Sequence, residues 1–313
     1  MAETSPGYAP NTIVVCVKWV ATHVHIDPLS GVVAERSHDN QFSASDHAAV
    51  EVALRTARAW NDAGSPTQVV AVCVGPVDSE DELKVLIADG VDRAIRVEAA
   101  THYSATSQPT SRQIASLICA VIGEMTSGGQ LLVVCGDVSA DRGSGSVPAF
   151  IAHEIGCAQA LGLVEVHEGD PGVLRAMRRL DGGRREELVV EAPAVISVEG
   201  AVAHLRRASL KTTIAARSAT VELRNAREIG AAEPAIATSG LGDGMVIHPW
   251  RPRTRIVPAP VQPDALGRIV ELTGAKSDRV PPRTVTLEPD EAARAILDQL
   301  AEWGYEWGQD SPI

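Results

Sequence analysis

The sequence predicts an α/β fold on a mostly parallel sheet, with an antiparallel hairpin extension and a C-terminal arm. Three observations predict it. Apolar strand-like runs alternate with helical segments up to Ile155, short β-like runs follow one another from Leu161 to Val198, and beyond Leu223 the chain turns to Ala, Gly and Pro.

Thr12 to Val20, TIVVCVKWV, reads as a near-continuous apolar strand, and Asp27 to Gly31 as a turn. From Asp46 to Asn61 the residues Ala49, Val52, Ala53, Ala57 and Trp60 recur at helical spacing, with Ser45 the expected N-cap. Gln68 to Val74 is the next strand, broken at Gly75-Pro76. Glu80 to Ala88 is a short helix ended by Asp89-Gly90, Arg93 to Val97 a strand, and Ser111 to Met125 a helix stopped by Gly128-Gly129. Right-handed βαβ crossovers then place the loops after Val20, Val74 and Gly136 together beyond the carboxyl ends of the strands, where ligands bind in such sheets.

The stretch Leu131 to Glu154, LLVVCGDVSADRGSGSVPAFIAHE, reads as buried strand, small-residue loop and helix entry. Gly143, Ser144 and Gly145 let backbone N–H groups approach an anion, and Ser146 is placed to cap a helix from Val147 towards Ile155. The same residues also suit a plain βα turn, and neither G-x-x-x-x-G-K-[ST] nor G-x-G-x-x-G is present. After it come Leu161 to His167, Val173 to Arg179, Glu187 to Val190 and Ala194 to Val198, with Asp181-Gly182-Gly183 turning the middle pair into a hairpin. Pro249, Pro252, Pro258, Pro260 and Pro263 mark a linker or arm. A helix from Asp264 to Thr273, an extended run from Arg283 to Leu287 and a helix from Pro289 to Trp303 close the chain. The last helix carries a stripe of Ala292, Ile296, Leu300 and Trp303 that must cover its own core or a partner.

Composition narrows the function. The balance of 28 basic against 40 acidic residues, net −12, repels nucleic acid and anionic membrane. No run of roughly 20 apolar residues occurs, and MAETSPGYAPN lacks the pattern of a secretory leader, so a cytoplasmic protein without membrane insertion is expected. Cys16, Cys73, Cys119, Cys135 and Cys157 form no C-x-x-C and lie mostly in apolar runs, which suits reduced structural residues. His23 and His25 share a strand face without a third ligand at metal spacing. No Ser-His-Asp, Cys-His or paired-carboxylate arrangement stands at meaningful spacing, so nothing in the residues themselves argues for a catalyst.

Several landmarks, in order, resemble the beta subunit of electron-transfer flavoproteins across Thr12 to Leu223. VCVKWV with Lys18 resembles the family's first strand, and AAVEVALRTA, with Glu51 and Arg55, its acidic helix. LIADGVDRAIRV is similar to its A-M-G-A-D-R-A-I element, and CGDVSADRGSGSV to its nucleotide loop. PAVISV and ASLKTTIAARSATVEL resemble its late strand and the loop with a docking leucine. The resemblance implies a Rossmann-like sheet of the adenine-nucleotide-binding type over residues 1–225, and an arm over 226–313 that wraps an alpha subunit.

It also implies a heterodimer in which the alpha subunit holds most of the redox FAD, while this chain binds AMP or, in bifurcating members, a second FAD. Electrons would pass from a flavin dehydrogenase to a quinone-reducing acceptor. The nucleotide positions implied are Cys16, Ser43, Val74, Asp141, Gly145, Ser146 and Val147, to which the glycine–serine loop read above adds Gly143 and Ser144. Leu210 falls at the docking leucine, with Arg206, Arg207 and Lys211 as a basic collar in a loop. The chain departs from the family where N-P-F-D-E becomes Ser43-Ala44-Ser45-Asp46-His47 and a lysine-glutamine pair becomes Asp137-Val138. The usual glutamine becomes Ser146, and the lysine-rich stretch after the docking leucine is thinned to Arg217. The long C-terminal part resembles an actinobacterial, mycofactocin-associated branch. A universal-stress-type ATP/AMP-binding module is the alternative reading of the sheet and loop.

Overall fold

The computed structural model describes residues 10–23, 25–27, 29–30, 33–34, 40–98, 109–125, 128–226, 259–273 and 284–303. The chain divides into two units, Met1–Arg251 and Pro252–Ile313.

In the first unit, β1 (Asn11–Val17) is buried along its whole length. The predicted strand to Val20 ends three residues early, because Lys18 turns towards Asp141 and Trp19 packs edge-on to Phe42, ring centroids 5.8 Å apart. There the chain leaves the sheet for an excursion of two-residue strands, β2 (Val20–Ala21), β3 (His25–Ile26), β4 (Val33–Ala34) and β5 (Asn40–Gln41), paired β2 with β5 and β3 with β4. Within it Asp27 Oδ1 accepts the N–H groups of Leu29 and Ser30, forming the predicted turn, whose last residue Gly31 lies outside the described residues.

The next elements are α1 (Ala44–Asp62), β6 (Thr67–Val74), α2 (Glu80–Asp89), β7 (Arg93–Glu98), α3 (Ser111–Met125), β8 (Leu131–Gly136) and α4 (Val147–Ile155). After them come β9 (Ala158–Glu168), β10 (Val173–Arg179), β11 (Arg185–Glu191), β12 (Ala194–Val198), α5 (Leu210–Ala216) and β13 (Glu222–Asn225). They form a nine-stranded sheet in the order β11-β10-β9-β12-β8-β1-β6-β7-β13. Pairing is parallel from β9–β12 to β7–β13 and antiparallel in the β9–β10–β11 extension. This is the Rossmann-like α/β architecture that the sequence predicts.

Strands covered on both faces explain the unbroken apolar runs. Trp60, Phe42, Leu83, Ile13, Leu132 and Ile196 pack on the α1–α2 face, and Val14, Val133, Ile118, Val121 and Ile151 on the α3–α4 face.

Three local expectations change. The cap of α1 is Ser43 and not Ser45, because Ser43 Oγ accepts the Asp46 N–H while Asp46 Oδ2 accepts the Ser43 N–H, a reciprocal capping box. The loop expected around Leu210 is a helix, α5, capped by Ser209. β13 is an additional edge strand, paired with β7, that the sequence pattern does not predict.

Cys16, Cys73 and Cys135 are buried, Cys119 and Cys157 half-buried, and all five are free thiols. Burial pushes the Cys73 thiol up to about 12, the range of an inert core residue. Among the described residues no group of His, Cys, Asp and Glu could hold a metal, and no helix is long and apolar enough to cross a membrane.

The second unit contains α6 (Ala265–Thr273) and α7 (Pro289–Glu302), close to their predicted limits. Pro289 opens α7 with Asp290 and Glu291 in its first turn, acids at the positive end of the helix. Along the predicted stripe, Ile296 and Trp303 are exposed while Ala292 and Leu300 are half-buried. Pro249, Pro252, Pro258 and Arg283 lie outside the described residues.

Candidate functional site

β1 lies between β6 and β8, so the carboxyl ends of all three meet at one edge of the sheet, and the loop 137–146 leaves β8 there. Asp137 N–H donates to Val198 O at 2.9 Å, holding the loop's start to β12. Ser45 Oγ, freed from capping, donates to Val138 O at 3.1 Å and ties it to α1. A Cβ on Gly136 would come within 2.8 Å of that Ser45 Oγ, so a glycine is needed for α1 to approach so closely.

Further along, both oxygens of Asp141 accept from Lys18 Nζ, at 2.6 and 2.7 Å, and Asp141 Oδ1 also accepts the Arg142 N–H. Partial burial works to raise the Asp141 pKa, but the hydrogen bonds and charge of Lys18 and a bond from Ser139 outweigh it and hold the carboxyl below its ordinary value. Gly145 has φ +56°, and a Cβ there would collide with the Asp137 carbonyl oxygen, so the loop folds back on itself only with glycine at this position.

The loop delivers the chain to α4. Ser146 takes the N-cap position as expected, yet its side chain makes no capping bond and lies 3.1 Å from the Ser144 hydroxyl. The first turn of α4 also holds no acid. Unlike α1, whose end is closed by Ser43 and Asp46, α4 has no capping side chain and no acid in its first turn, so the positive end of its dipole and the N–H groups there, none of them from Pro148, are left uncapped. That donor set, with two serine hydroxyls and a loop permitted by glycine, fits a phosphate. Asp137 opposes this less than its charge suggests, because its Oδ1 is occupied by the Val138 N–H.

The residues singled out from the sequence divide between the two sides of this loop. Cys16 belongs to the buried cluster on the α3–α4 face, and Val74 and Val147 pack against that cluster. Cys16 is hydrogen-bonded to the thiol of Cys135, its register neighbour on β8, and that contact, reinforced by burial, pushes its thiol well up, so it lines the core without offering a thiolate. Ser43 lies on the other face, in a cleft of about 360 Å³ with Ala44, Ser45, Asp137, Val138, Ala140, Glu199, Gly200 and Ala201. The Glu199–Ala201 wall went unread in the sequence, where it carries no motif.

Asp46, beneath Ser43, is buried. Loss of water pushes its pKa up to about 6, against the opposing pull of hydrogen bonds from Ser43 and the charge of Lys18.

The docking candidates lie on and before α5, which packs against α2. Leu210 is 77% exposed and Ile214, one turn on, 57%. The i, i+4 spacing on α5 puts Ile214 beside Leu210 and enlarges the exposed apolar face. Arg207 and Lys211 are exposed. Arg206 departs from the expected collar, because its N–H, Nε and Nη2 all donate to Glu51 on α1, at 3.1, 2.9 and 2.8 Å.

A largely parallel sheet with a glycine–serine loop and an open helix N-terminus at its carboxyl edge defines the class of α/β proteins that bind ligands at that edge. Within that class, residues 30–229 match the family described as Electron transfer flavoprotein domain, so the chain belongs to the electron-transfer flavoprotein family, and the relatives place it on the beta-subunit side. Among those relatives, the Electron transfer flavoprotein subunit beta of Syntrophomonas wolfei is 28% identical over 67% of this chain and 77% of its own. The subunit of the same name from Bradyrhizobium diazoefficiens is 27% identical over 59% and 68%, and Protein FixA of Azorhizobium caulinodans 25% over 70% and 76%.

Proposed function

We propose that this chain is the beta half of a heterodimeric electron-transfer flavoprotein and acts as a carrier subunit without catalysis of its own. It binds AMP, or alternatively a second FAD, at the 137–147 loop, while the alpha subunit supplies most of the contacts to the redox FAD. When bound, that flavin carries the electrons, and this chain's residues bind and orient. The open N-terminus of α4 behind a glycine-built loop is the observation that carries the reading. Cys16, Val74 and Val147 would form the floor, Gly143, Ser144, Gly145 and Ser146 would meet the phosphate, and Ser43 and Asp141 would hold the loop's surroundings in place.

Leu210, flanked by Arg207 and Lys211, suits an apolar anchor entering an acid-rimmed pocket on a flavin dehydrogenase, with Arg206 supporting it from behind. Electrons would leave to a quinone-reducing acceptor. Residues 1–225 would constitute the beta-type domain, and 226–313 an arm on the alpha subunit. Cytoplasmic location follows from the same reading. The universal-stress-type alternative accounts for the loop but leaves the β10–β11 hairpin and α5 without a purpose.

Co-expression with an alpha subunit from the same genome, followed by mass spectrometry of the nucleotides released on denaturation, tests this. A yellow heterodimer releasing FAD and AMP in equal amounts is the expected result, and FAD in twofold excess without AMP selects the second-FAD version. A homodimer carrying ATP and no flavin would overturn the proposal.

A further inference from the structure

We propose that Lys18 is a positioning residue for the nucleotide loop, acting through Asp141 to hold the loop's outer half folded over the N-terminus of α4. The inference rests on the reading that this loop receives an adenine nucleotide, and it adds a residue and a mechanism to that reading.

The inner half of the loop is fastened by the Asp137–Val198 and Ser45–Val138 hydrogen bonds. Its outer half, from Ser139 to Gly145, is mostly exposed. Gly143 N–H donates to Ser139 O at 2.9 Å, closing a local turn that is fastened to nothing else by that bond. Lys18 reaches this turn from the end of β1, an inner strand of the sheet, across 123 residues of sequence. One ammonium bridges both oxygens of one carboxylate, and the same carboxylate receives the Arg142 N–H, so the ion pair fixes backbone as well as side chain. Arg142 Nη1 adds a bond to Pro109 O at 3.1 Å on the approach to α3.

Asp141, which the resemblance places among the nucleotide contacts, therefore has both oxygens engaged by the protein itself. A carboxylate facing a phosphate would repel it, whereas one neutralised by Lys18 serves as a strap. The point where β1 ends early is thus the point where it supplies this lysine.

The test uses the co-expressed heterodimer with Lys18→Met, Asp141→Asn, the double variant and Lys18→Arg, with three readouts: nucleotide released on denaturation, AMP affinity after stripping, and amide hydrogen exchange of residues 137–146. Each single neutral variant is expected to weaken AMP binding about tenfold and to speed exchange in the loop. The double variant should be no worse than either single one, because both remove the same contact, and Lys18→Arg should restore most of the affinity.

Wild-type affinity and exchange in Lys18→Met would overturn the inference. So would a loss of AMP in Lys18→Met that Asp141→Asn does not reproduce, since Lys18 would then be touching the phosphate directly. A wild-type heterodimer without any adenine nucleotide defeats the underlying reading instead, and is distinguished because the exchange difference between wild type and Lys18→Met would persist.

Discussion

Glu51, on the second turn of α1, holds Arg206 by its backbone N–H and by two guanidinium nitrogens, four residues before the exposed Leu210. Burial pushes the Glu51 carboxyl up, but Arg206 outweighs it and keeps the pKa below its ordinary value. Replacing Arg206 with Ala leaves a mostly buried carboxylate with only distant charge to balance it, and is expected to cost about 2 kcal/mol, read as a lower urea midpoint. A depressed carboxylate stabilises the fold above its unfolded pKa and loses that contribution as pH falls through the folded pKa. The gap between wild type and Arg206→Ala should therefore shrink below about pH 4.

Leu210 has the opposite character. Its side chain is exposed on a capped helix, so Leu210→Ala should change stability by less than about 0.5 kcal/mol. Flavin content of the heterodimer should stay unchanged while electron transfer from the cognate dehydrogenase slows. Loss of flavin in this variant would show that Leu210 is structural.

Gly145→Ala attacks the loop without altering its charge. Its left-handed backbone and the collision with the Asp137 carbonyl make the native conformation costly by about 1–3 kcal/mol. Released nucleotide should fall sharply, whereas near-ultraviolet circular dichroism of the sheet core should not change.

Asp46 supplies a pH dependence of the other sign. Its pKa rises from 3.8 unfolded to about 6 folded, so its favourable contribution is complete below the unfolded value and is lost as pH rises through about 6. Asp46→Asn keeps an acceptor for the Ser43 N–H but cannot ionise. The stability of wild type relative to this variant should decline by about 2–3 kcal/mol between about pH 4 and pH 7, measured by urea unfolding at each pH.

Much of the fold was legible because burial on two faces leaves continuous apolar runs, as in β1 and β8, and because α1 and α3 keep a helical period. The α1 cap was misplaced even though Ser43-x-x-Asp46 spells the reciprocal pattern, since Ser45 sits nearer the first periodic residue. β13 was illegible for a physical reason: Glu-Leu-Arg-Asn has one apolar residue, and its place is fixed by β7 and by the Arg93–Glu222 ion pair. Likewise the candidate loop could be read from its glycines, but its attachment to Lys18 depends on two residues brought together only by the sheet.

That last strand has a consequence for synthesis. β7 is complete once Glu98 has been made, yet the partner for its outer edge is β13, whose Glu222 lies opposite Ile95 and pairs with the Arg93 guanidinium 129 residues away in sequence. A nascent chain therefore emerges with the outer-edge hydrogen-bonding groups of β7 unpaired until the segment after α5 leaves the ribosome. A chain cut between α5 and β13 would retain the candidate loop 137–146 and the exposed leucine but carry a permanently open edge, and aggregation during expression is its expected fate.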